Sequence, residues 1–129
     1  MPLVLDQLPE AYLAFLAERH LGTLTTLRAD GSPHVVPVGF IFDPLECVVR
    51  IITNRGSRKV ANVRATARAV VCQVDGPRWA TLEGTAKVRE DPGSVRRGVE
   101  AYATRYRMPG ENPQRVVIEL GVERALGRG

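Results

Sequence analysis

The 129-residue chain is poor in lysine, histidine, cysteine and aromatic side chains. Two cysteines, Cys47 and Cys72, cannot build a disulfide framework. Each lies in an apolar run, so both read as buried, reduced thiols of a cytoplasmic protein. Neither has a neighbouring base in sequence or a helix N-terminus, which argues against a nucleophilic cysteine. The two histidines, His20 and His34, stand apart from any Cys or carboxylate cluster and give no metal signature. Ser–His–Asp, Cys–His and paired-carboxylate constellations are also missing, so no catalytic side chain is assigned. An enzyme of this composition needs a cofactor to carry the reaction. No apolar run approaches the roughly 18 residues of a membrane span. Asp6 and Glu10 interrupt an N-terminus that has no basic start, so it does not read as a signal peptide or a membrane contact. The net charge of +4 permits an anionic partner. Aromatics are too few, and none forms a stacking ladder, so a nucleic-acid-binding barrel is disfavoured.

What is present is a set of short apolar elements separated by turn residues. Residues 9–20 predict a helix, with Tyr12, Leu13 and Leu16 as its apolar stripe and Phe15 near the edge. Residues 22–28, 33–42 and 47–53 predict three strands, joined by Asp30-Gly31 and Asp43-Pro44 as a meander. Ser57 is placed to cap a short helix that runs to residue 65. Residues 68–75 and 79–89 predict two more strands about a Gly76-Pro77 turn, and Gly84 points to a bulge. Asp91-Pro92 opens a third helix that runs to about Tyr106, with Val95, Val99, Tyr102 and Tyr106 on one face. Residues 115–126 alternate as a final strand, with Val116, Ile118, Leu120 and Val122 inward. Six strands and three helices in one domain, residues 1–129, predict a closed antiparallel β-barrel with helical caps.

Four segments carry chemistry. In the first, Thr53-Asn54-Arg55-Gly56-Ser57-Arg58-Lys59, a strand ends, the chain turns and a helix begins. Unpaired amides, the helix dipole, three cations and the neutral donors Ser57 and Asn62 suit a phosphate or carboxylate. A solvated basic turn is the alternative. The second is His34 to Phe40, where Pro37 sits inside a strand and Gly39 leaves room for something flat, or for a twisted corner. The third is Asp75-Gly76-Pro77-Arg78-Trp79, whose Arg/Trp pair fits a ligand or subunit contact as well as a core lid. The fourth, Arg105-Tyr106-Arg107, either grips an acidic substrate or complements a helix C-terminus.

The order of these elements, with the strings FLAERHLGTLTTLRADGSPHVVPVGFIFD, GSRKVANVR, QVDGPRWATLEGTAKV and YATRYRMPGENPQRVVIEL, resembles the split β-barrel flavin and deazaflavin oxidoreductases. This is the pyridoxamine phosphate oxidase superfamily, and the resemblance is closest to its coenzyme F420-dependent biliverdin reductases. The resemblance implies a six-stranded split barrel and a homodimer with cofactor sites at its interface. It places the deazaflavin ring along Val36, Pro37 and Val38. It places the anionic phospholactyl-oligoglutamate tail on Thr53 through Lys59 with Asn62. Gly76, Pro77, Arg78 and Trp79 would come from the second subunit. The implied reaction is hydride transfer from reduced F420 to a small unsaturated acceptor such as biliverdin, giving bilirubin. Arg78 and Arg105, with His34, are candidates for contacting that substrate. Relatives that bind FMN use a barrel-wall arginine for its phosphate. The second strand here has none, and the third offers Arg50, so FMN is the alternative cofactor. A non-catalytic cofactor- or tetrapyrrole-binding protein is the alternative function.

Overall fold

The computed structural model describes residues 2–129. After a single 3-10 turn at Leu5–Gln7, the chain forms helix α1 (Glu10–Ala17), strands β1 (Gly22–Leu27), β2 (Pro33–Val38), β3 (Ile41–Asp43) and β4 (Val48–Asn54), and helix α2 (Arg58–Ala65). Strands β5 (Arg68–Asp75) and β6 (Arg78–Arg89), helix α3 (Pro92–Arg105) and strand β7 (Arg115–Arg128) follow. One seven-stranded sheet runs in the order β2-β1-β5-β6-β7-β4-β3. All its pairings are antiparallel.

The expected run over residues 33–42 is two strands, which makes seven where six were predicted. The expected meander is also corrected. β2 pairs with β1 and β3 pairs with β4, at opposite ends of the ladder. Gly39 and Phe40 join the two edges, and this two-residue step closes the sheet into a barrel. The physical reason is Phe40, which is fully buried and turns the chain inward between the two halves. Because β2 is an edge strand, Pro33 and Pro37 cost no ladder hydrogen bond. Gly84 does sit at a bulge. The β6–β7 register shifts between Glu83 and Gly84, where a Cβ would stand 1.8 Å from the Gly121 carbonyl oxygen.

The interior is filled by Leu24, Phe40, Ile51, Leu82, Ile118 and Leu120, with Tyr12, Phe15 and Leu16 of α1 packed onto them. The buried stripe of α1 therefore includes Phe15, while Leu13 is only half-buried. This helix stops at Ala17, short of the predicted residue 20. Glu18 turns extended, its carbonyl accepts from Arg105 Nε at 2.8 Å, and its carboxylate holds Arg78. Helix α3 lies on β4 and β7 through Ser94 and Gly98, with Arg105 buried at its far end against Glu18, Phe40 and Gln73, and the predicted Val and Tyr face is only half-buried. The helix comes too close for side chains on that line. A Cβ at Gly98 would meet Ile52 and Val117 at 3.0 Å. Val117, which alternation places either outward or at an interface, is buried under this helix for the same reason.

Candidate functional site

The end of β4 and the start of α2 form one bank of a cleft of about 330 Å³. Thr53, Asn54 and Lys59 line that bank, and Pro37 and Val38 of the edge strand, with Gly39 just beyond it, face them. Two segments singled out in sequence thus meet in space. The remaining wall comes from Tyr102 of α3 and from Pro109, Asn112 and Arg115 around the α3–β7 loop. Ser57 occupies the N-cap position of α2, yet its hydroxyl does not cap the helix. It lies 3.4 Å from Thr53 Oγ1. The first-turn amides of α2 are left without a side-chain acceptor, which keeps the positive end of the helix available.

The charges set the character of this cleft. Its lining contains no carboxylate, and among the described residues neither Lys59 nor Arg115 has an acidic partner. Burial pulls the Lys59 ammonium below its ordinary pKa of 10.5. A half-buried cation without a counter-ion fits an anionic group, while the turn at the start of α2 opens on a neighbouring recess with Arg64 and Glu90. The exposed Pro37 opposite, with Val38 buried behind it in the core, offers an apolar edge that fits the face of a flat ring.

The structure separates the other predicted residues from this arrangement. Val36 packs against the core. Asn62, expected as a neutral donor to the ligand, is buried and donates to Thr26 Oγ1 at 3.0 Å, fastening α2 to β1. Arg55 donates to Glu90 at 2.7 Å and to Gln114 at 3.1 Å, while Arg64 holds the other Glu90 oxygen. These contacts tie the turn to the β6–α3 connection through Glu90 and to the α3–β7 loop through Gln114. Gly56 and Arg58 are exposed on the turn's outer side. Gly39 does leave room, but for protein: a Cβ there would stand 2.9 Å from Tyr102 and 3.2 Å from Tyr106. His34 is half-buried opposite Thr26, and its Nδ1 has no hydrogen-bond partner.

Gly76, Pro77, Arg78 and Trp79 lie at the β5–β6 turn, away from this cleft. Gly76 takes φ +61°, as the turn requires. Arg78 grips Glu18 through two nitrogens at 2.6 and 2.9 Å and stacks 4.6 Å above Phe15. This pairing holds the Glu18 carboxyl down from 4.5 to about 2. Arg105 is buried. It donates to the carbonyls of Glu18 and Phe40 and to the Gln73 side chain, and stacks on Phe40 and Tyr106. Its donors face the interior of the chain, which removes it from contact with an acidic substrate. Arg50 is closed off in the same way, with Asp43 at 3.0 Å and Glu46 also bound to it.

A family model for pyridoxamine 5'-phosphate oxidase matches residues 8–128. The chain belongs to this family. A curated relative, the F420H(2)-dependent biliverdin reductase of Mycobacterium tuberculosis (strain CDC 1551 / Oshkosh), is 55% identical over 121 residues, covering 94% of this chain and 88% of that protein. Among solved structures, a conserved hypothetical protein of Mycobacterium tuberculosis superposes with a TM-score of 0.80 at 24% identity, covering 95% of this chain and 85% of its own. An F420 reductase superposes with a TM-score of 0.75 at 24% identity, covering 92% of this chain and 98% of its own. These two likenesses establish the split-barrel fold. Ile52, Tyr102, Pro109, Asn112 and Arg115 are the cleft residues that sequence reasoning missed. The one available signal was Arg115, an outward position that opens a strand after a Pro/Asn loop.

Proposed function

We propose that this chain is an F420-dependent reductase whose acceptor is biliverdin. The observation that carries the proposal is the meeting of the Pro37–Val38 rim and the Thr53–Lys59 turn in one carboxylate-free cleft. The 55% identity to a biliverdin reductase supports the same reading and points to the acceptor. When bound in this cleft, reduced F420 would supply hydride chemistry to the acceptor, with the proton coming from solvent. The chain's own residues bind and orient. Lys59 and the α2 amides meet the anionic tail, Thr53 and Asn54 offer neutral donors beside it, and Pro37 and Val38 support the ring. No acid–base side chain is required of the protein. Arg50, the barrel-wall arginine that FMN would need for its phosphate, is engaged by Asp43 and Glu46, which favours F420 over FMN.

The proposal includes a cytoplasmic homodimer. The outer face of β1, β2, β5 and β6 carries Val35, Cys72, Val74 and Trp79 with a row of threonines, and Val35 and Val74 are more than half exposed. Pro37 shares this face with Val35. A second copy seated there would shelter both that face and the cleft rim, and would bring its own Gly76–Trp79 turn within reach of the ring. The deciding experiment titrates purified apoprotein with F420 and with FMN, then mixes reduced F420 and biliverdin in a single turnover. Tight F420 binding, weak FMN binding and bilirubin formation are expected. Preferential binding of FMN would overturn the cofactor assignment. Tight binding without oxidation of reduced F420 would make this a binding protein.

A further inference from the structure

Residues 107–113 read in sequence as a Pro/Gly/Asn loop, and Pro109 and Asn112 of this loop line one wall of the cleft. Asn112 donates to the Asn54 side chain, and the Arg55 amide donates to the Gln114 carbonyl at 2.8 Å. Arg115 follows at once as the first residue of β7, directly opposite Asn54 in the β4–β7 register. Its guanidinium donates to the Gly110 carbonyl at 2.8 Å, which leaves further donors of the fork without a partner among the described residues. Most arginines that could be mistaken for ligand-binding groups are already neutralised. Arg50, Arg55, Arg64 and Arg78 each hold a carboxylate. Arg115 is half-buried, lines the cleft and faces no carboxylate there.

We infer that Arg115 is the second cation, with Lys59, of a subsite that binds the phosphate group of an anionic ligand, in place of Arg55 and Arg58. This rests on the F420 reading for the identity of the ligand, whose tail carries such a phosphate, but the subsite itself is defined by the two cations. Arg115 also fixes the loop through Gly110, so it couples ligand capture to the position of the cleft wall.

The test compares wild-type protein, R115Q and R115K by calorimetric titration with F420 and with the same deazaflavin lacking its phospholactyl-oligoglutamate tail. Loss of one charge-assisted contact predicts that R115Q weakens F420 about tenfold. The tail-less chromophore should stay within about twofold, and R115K should recover part of the loss. Unchanged F420 affinity in R115Q would overturn the inference. So would equal weakening of both ligands, because that signals a displaced loop. If the wild type binds no F420, the cofactor reading fails and inorganic phosphate decides the subsite alone. Saturable amide shifts at residues 54–59 and at 115 that vanish in R115Q sustain it, and their absence in the wild type overturns it.

Discussion

Two regions of this molecule concentrate positive charge, and they differ in what the charge faces. Around the end of α1, Arg78 and Arg105 are surrounded by acceptors from the chain itself: Glu18, Gln73 and two main-chain carbonyls, with Phe15, Phe40 and Tyr106 stacked against the guanidinium planes. At the mouth of the cleft, Lys59 and Arg115 face a lining without carboxylates. Both regions look alike in sequence, as arginine-rich strings near aromatic or glycine residues. What separates them is whether the fold supplies the counter-charge. Where it does, a cation is part of the scaffold. Where it does not, a ligand completes the arrangement.

The largest expected effect comes from breaking the first region. Arg105→Leu removes the guanidinium from Gln73 and from the Glu18 and Phe40 carbonyls, which keep only the His20 amide and the Tyr106 hydroxyl, and should cost about 3 kcal/mol or more of stability in urea unfolding. A loss below about 1 kcal/mol would show that these acceptors find other partners. Lys59→Gln should do the converse, weakening F420 about tenfold while the urea midpoint hardly moves. A stability loss comparable to that of Arg105→Leu would erase the distinction between the regions. A smaller effect separates the two on the pH axis. The Glu18 pKa is depressed on folding, so its contribution is fully present above its ordinary 4.5 and is lost as pH falls toward about 2. Melting temperatures recorded from pH 5 to 2 should fall more steeply for the wild type than for Glu18→Gln, and equal slopes would disprove the coupling. The smallest effect is expected for Arg55→Gln. Because Glu90 and Gln114 already hold this side chain, F420 affinity should stay within about threefold. A loss matching that of Lys59→Gln would return Arg55 to the ligand.

The sequence patterns carried the class of fold and the neighbourhood of the cleft, because each rests on local chemistry. Alternation marks the strands, Asp91-Pro92 opens α3, and a strand–turn–helix junction with three cations announces an anion site. What the patterns could not show depends on long-range closure. Residues 35–42 carry no charged or polar side chain, and although Gly39 allows a twisted corner, nothing local decides that Phe40 buries itself and divides the run between the two ends of the ladder. Asn62 looks like any donor near a helix start until β1 places Thr26 beneath it. Arg105 sits in a helix whose periodicity favours Val95, Val99 and the tyrosines. Only the carbonyls brought by α1 and by Phe40 explain why the arginine is the buried member. Arg115 was overlooked for the opposite reason, since a residue that gains little from its own chain leaves little trace in a hydrophobic pattern.

The step at Gly39–Phe40 also dictates the order in which a nascent chain can complete its barrel. The β1–β2 and β5–β6 hairpins form from turns already translated. β3 and β4 pair with each other early, but β4 has only β7 as its second neighbour, and β7 begins at Arg115. Until that strand leaves the ribosome, one long edge of β4, with Val49 and Ile51, has nothing to pair with, and the two halves of the ladder are held together only by the covalent joint. Such a chain is most exposed to strand-edge association in the interval between the synthesis of β4 and that of β7.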